Sequence, residues 1–102
     1  MKRQTYSLKF KSAQPNLSSA TTAFGSLYPG WGAAQAKHMA LGGVVNDTLF
    51  LSEDGLVLTA SRRMTDSCYN ELRALFTDDS LYSIAINSGL FDSISRPSFV
   101  DI

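Results

Sequence analysis

Residues 44–60 read VVNDTLFLSEDGLVLTA, two aliphatic and β-branched runs joined by Glu53-Asp54-Gly55. Asp-Gly between such runs is a tight-turn signal, because glycine enters positive φ without steric cost. The stretch therefore predicts a hairpin, Val44–Ser52 against Leu56–Ala60, and a hairpin near mid-chain fixes what the flanks must supply. Before it, residues 5–11 alternate: Tyr6, Leu8 and Phe10 on one side, Ser7, Lys9 and Lys11 on the other. A period of two marks a strand with one buried face. Pro15 ends that pattern.

Between this strand and the hairpin lies a helical region. Asn16 or Ser18 is placed to cap a short helix through Phe24. Tyr28-Pro-Gly30 reads as a turn, and the alanines from Trp31 to Leu41 favour a second helix that Gly42-Gly43 stops. After the hairpin, Thr65-Asp66 opens a helix with Cys68, Leu72, Leu75 and Phe76 at helical spacing. Leu81–Asn87 alternates again and predicts a strand on Tyr82, Ile84 and Ile86. A helix from Ser80 is the competing reading, since Leu81, Ile84 and Ala85 also fit its period. The expected order is βαββαβ, a ferredoxin-like α+β domain with a four-stranded antiparallel sheet and its helices on one face. Residues 90–102 carry no firm pattern and are expected to form a loose or partner-docking tail.

At 102 residues, 44% hydrophobic and 18% charged, the chain has the size and content of one globular domain, spanning 1–102. No run of about 18 apolar residues is present, so no membrane span is expected. The basic start MKRQTYSLKFK is interrupted by polar residues before an apolar signal core can form, which with one cysteine points to a cytoplasmic setting. Net charge is zero but lopsided: residues 1–46 hold five basic side chains and no acid, while residues 47–102 hold nine acids and four arginines. A cationic first half and an acidic second half raise the prospect of charged partners, or simply of two halves that neutralise each other on folding.

The chemical motifs fail in turn. Gly25-x-x-x-x-Gly30 has phosphate-loop glycine spacing, but the Lys and Ser/Thr that would reach phosphate and magnesium are replaced by Trp31 and Gly32. Gly30-Trp31-Gly32 lacks the third glycine of a dinucleotide turn, whose position is Gln35. His38, the sole imidazole, and Cys68, in a helix first turn, are the only candidates for acid–base or thiol chemistry. Both are better read as packed residues. Glu53-Asp54 and Asp78-Asp79 fall where turns and caps use carboxylates, without calcium-loop spacing. No catalytic, metal or cofactor site is expected.

What remains is recognition. The expectation is a small non-catalytic regulator, adaptor or inhibitor that occupies a partner protein's surface. Tyr28, Trp31, Asp54, Asp78 and Asp79 are its candidate contact residues, with the open sheet face beside them. The chain's type is that of bacterial or phage accessory proteins, an analogy of size and content alone. The alternative is weak nucleic-acid binding through Lys2, Arg3, Lys9 and Lys11. A homodimer is compatible with either reading, because an unpaired strand edge seeks a cover.

Overall fold

The computed structural model describes residues 1–27 and 31–102. Its elements run β1 (Lys2–Phe10), α1 (Leu17–Leu27), α2 (Trp31–Ala40), β2 (Val44–Leu51), β3 (Val57–Met64), α3 (Asp66–Phe76), α4 (Asp79–Asn87), β4 (Phe91–Ile94) and β5 (Ser98–Asp101). The sheet is antiparallel with strand order β2-β3-β1-β4, and β5 also pairs with β1. This is a compact α+β domain, a five-stranded sheet with four helices.

The hairpin forms as its sequence demands. Gly55 adopts φ +74°, and a Cβ there would stand 2.6 Å from the Gln14 carbonyl oxygen. The Gln14 amide donates to the Gly55 carbonyl at 2.8 Å, so the turn is docked on the loop after β1. Thr65 caps α3 as expected, its hydroxyl accepting from the Cys68 amide at 3.3 Å. Asn16 caps α1 in the same manner through the Ser19 amide.

Four expectations are corrected. The order is βααββααββ, not the strict ferredoxin-like βαββαβ, because each crossover holds two helices and the final strand is split. Residues 81–87 belong to α4, the competing reading: Asp78 caps it by accepting from the Ser80 amide and hydroxyl. Helical spacing buries Ala85 completely, whereas the strand pattern would have buried Ile84, which is 53% exposed. The tail is not loose. β4 pairs with Leu8–Phe10 and β5 with Lys2–Thr5, end to end along one side of β1, separated by Ser95-Arg96-Pro97. β3 also outruns the expected Ala60 by four residues, Ser61–Met64.

The alternation in β1 sorts its two faces. Gln4, Tyr6, Leu8 and Phe10 are buried, while Thr5 and Lys9 are exposed. The buried face meets an aromatic cluster from the helices and β4. Tyr6 lies 5.4 Å from the Phe24 ring of α1 and 6.3 Å from Phe76 of α3, and Phe10 lies 5.3 Å from Phe91. Offset and tilted rings at these separations add specificity to apolar burial.

Candidate functional site

The opposite face of the sheet is open. Register places its side chains in rows across the strands. Thr48 opposes Ser61, which opposes Thr5, which opposes Ser98. The next row runs Phe50, Thr59 and Ser7, and the Ser95 amide donates to the Ser7 carbonyl at 2.9 Å. Thr5, Ser7, Thr59, Ser61, Ser95 and Ser98 thus line a shallow depression of about 370 Å³. Small hydroxyls at successive strand positions leave the sheet nearly flat, and each can donate or accept.

Apolar groups stand at the rim. Val45 and Phe50 on β2 and Val100 on β5 are 45%, 58% and 54% exposed. Val45 opposes Arg63, Phe50 opposes Thr59 and Val100 opposes Arg3, which puts all three on the hydroxyl face. A bulge in β2 between Asn46 and Thr48 releases Asp47 from the ladder. Its carboxylate accepts from Arg3 Nη1 at 2.6 Å and from Arg63 Nε at 3.0 and 3.1 Å. Partial desolvation raises the Asp47 pKa, but the bonds from Arg3 and Arg63 outweigh it and hold the carboxyl below its ordinary range.

This ion pairing bears on the basic strand. Lys2 bonds Asp101, Arg3 bonds Asp47, and Lys9 stands 3.7 Å from Asp92. Lys11 alone of the four has no ion pair among the described residues. The lopsided sequence charge is therefore largely neutralised by folding, first half against second.

The carboxylates predicted to meet a partner carry structural roles. Asp54 closes the hairpin turn, accepting from the Ser52 hydroxyl at 2.6 Å and the Leu56 amide at 3.0 Å, bonds that depress its pKa. Asp78 caps α4, and Asp79 pairs with Arg96 at 2.6 Å. Among the described residues no hydrogen bond or ion pair joins Asp54 to Asp78 or Asp79. Tyr28 lies outside the described residues, as does the turn it was expected to form; Trp31 begins α2 and nothing further is described of it.

His38 and Cys68 are both buried. The imidazole Nε2 is 2.7 Å from Glu71 Oε2, and Lys37 reaches the same oxygen at 3.2 Å. Burial pushes the Cys68 thiol up to about 11, so it stays protonated near neutral pH. Neither group lines the hydroxyl depression. Among the described residues, no group of three or more His, Cys, Asp or Glu side chains is arranged to hold a metal, and no helix is long and apolar enough to cross a membrane.

Two buried polar residues gave no sequence signal. Arg62 is 1% exposed, donates from Nη2 to the Tyr6 hydroxyl at 3.1 Å and lies over the Tyr6 ring at 5.5 Å. Gln4, its register partner on β1, is fully buried, and neither amide atom has a hydrogen-bond partner among the described residues. Arg62 lies between Ser61 and Arg63, beyond Ala60, where the expected strand ends. Only the extension of β3 reveals that alternate residues point inward.

No protein-family model, curated protein or solved structure matches the chain.

Proposed function

We propose that the chain is a small non-catalytic protein-binding domain, a regulator, adaptor or inhibitor, whose contact surface is the open face of its sheet. One observation carries this reading: a flat field of hydroxyls bordered by exposed Val45, Phe50 and Val100. An apolar rim with adaptable donors and acceptors between suits a protein surface. The strand order β2-β3-β1-β4 supports regarding the scaffold as a ferredoxin-like unit with doubled helices. On such a unit, covering the sheet's free face completes the layering.

The pairing of Lys2, Arg3 and Lys9 with carboxylates favours a protein over a nucleic acid as partner. Phosphate binding would have to compete with Asp101, Asp47 and Asp92. The protonated thiol of Cys68 and the buried His38 ring, held against half-exposed Glu71, support a role without catalysis.

The test is capture from nuclease-treated lysate by tagged wild type, Thr59→Arg on the open face and Asn70→Arg on the exposed side of α3. The expected result is one specific protein retained by wild type and Asn70→Arg and lost with Thr59→Arg. Equal capture by both variants would move the contact elsewhere. Nucleic acid before nuclease and nothing after it would replace this reading with the basic-strand one.

A further inference from the structure

The outer edge of β2 is the longest unpaired edge in the described structure. β3 holds one side of Val44–Leu51, and among the described residues no backbone hydrogen bond reaches the other. Edge strands are commonly blunted by charge, proline, bulges or extreme shortness, and of these β2 has the bulge at Asp47. β2 has eight residues and neither Lys nor Pro. Its single charge, Asp47, is already held by two guanidinium groups. The opposite edge of the sheet differs, being split into two four-residue strands around Pro97.

We propose that β2 pairs with β2 of a second copy of this chain, antiparallel about a two-fold axis between Asp47 and Thr48, joining two sheets into one. The bulge makes this register self-consistent. Residues directly opposite in a ladder share a face, and the extra residue at Asp47 shifts the alternation by one. Val45 and Phe50 are therefore on the same face although one is odd and the other even. The two-fold sets Val45 against Phe50 of the second copy, and Phe50 against its Val45. Asn46 meets Leu49, and Val44 meets Leu51, on the helix-covered face.

Aromatic against β-branched is a favourable cross-strand pairing. It covers Val45 and Phe50, two of the exposed large apolar side chains, in a single step. The half-buried Leu49 and Leu51 would gain a continued apolar layer on the other side. Each Asp47 comes to the axis with Arg3 and Arg63 attached, so the two carboxylates meet as compensated groups. Nothing in this arrangement covers the hydroxyl field, which the two-fold doubles in width. The inference shares Val45 and Phe50 with the open-face reading, moving them from the rim of the field to its central seam and leaving Val100 at each margin, but the mass of the chain alone tests it, so the two fail separately.

Light scattering on the wild-type chain should report the mass of two chains at high micromolar concentration, and Phe50→Lys should return it to one. Register is tested with two single variants, Val45→Cys and Phe50→Cys, both at exposed positions, with Cys68 buried and out of reach. Under mild oxidation, mixing the two should give a disulfide-linked pair several-fold faster than either variant alone. A wild-type mass of one chain overturns the proposal without recourse to any variant. A two-chain mass with no selective cross-link in the mixture overturns this edge and register.

Discussion

β1 and β3 show two different proteins on their two sides. Toward the helices they present Leu8, Phe10, Leu58 and Met64, none more than 2% exposed. Toward solvent the same strands present Thr5, Ser7, Thr59 and Ser61. Yet sorting by polarity is not uniform within the covered side. At the hairpin end it is wholly apolar, with Leu8 opposite Leu58. Toward the other end the row is Asn46, Arg62, Gln4 and Phe99. The covered face thus combines a dry aromatic half with a polar half. The open face is chemically even, with its apolar groups at the margins. Stability should reside mostly in the first half, and recognition on the second face.

Substitutions can test that division, beginning where the effect should be greatest. Phe24→Ala removes the ring that touches Tyr6, Phe76 and Phe91. It should cost about 3–5 kcal/mol in chemical denaturation, the range for an emptied aromatic core site. Gln4→Met keeps the volume and removes a buried amide whose two polar atoms lack hydrogen bonds. Stability should rise by about 1–2 kcal/mol, since a buried unsatisfied polar group carries a penalty of that order. A loss in that experiment would mean the amide has a role the dry half does not need.

Smaller effects belong to the open face. Thr59→Val should change the unfolding free energy by no more than about 0.5 kcal/mol, as for surface sites without special contacts, while altering partner capture. Asp47 supplies a pH test. Its folded pKa is depressed, so its stabilising contribution is complete above the ordinary carboxylate range and is lost as pH falls through the folded value. The acid slope of stability should be shallower in Asp47→Asn, and the difference between the two chains should shrink in high salt.

The sequence shows the strand and the turn more readily than either the polar half of the core or the hydroxyl field. Alternation in residues 5–11 separated Tyr6, Leu8 and Phe10 from Lys9, and Asp54-Gly55 located the hairpin, because turn chemistry and period two are local properties. Leu81–Asn87 was ambiguous since its apolar residues fit both periods. The decision came from the Asp78 cap and from the Ala85 packing position, which only tertiary structure supplies. Arg62 was hidden for a related reason: a charged residue inside a β3 extension is identified as buried only by its neighbours on β1 and β2. The hydroxyl field is likewise non-local. Thr5, Thr59, Ser61 and Ser98 are scattered in sequence, and only register brings them into rows. The pairings of Lys2, Arg3 and Lys9 fall in the same class, each with a carboxylate far along the chain.

The placement of β1 has a consequence for synthesis. It precedes the other described elements in the chain, yet it occupies the interior of the sheet, between β3 on one side and β4 with β5 on the other. A chain emerging from the ribosome can close neither of its ladders until the hairpin is out. The second ladder waits for the segment that ends with Asp101 bonded to Lys2. Until residues 57–64 emerge, Tyr6, Leu8 and Phe10 therefore have no sheet to belong to, and non-local pairing of this kind is slow to form. Of the strands of this sheet, β1 is the one an early-acting chaperone would find longest exposed.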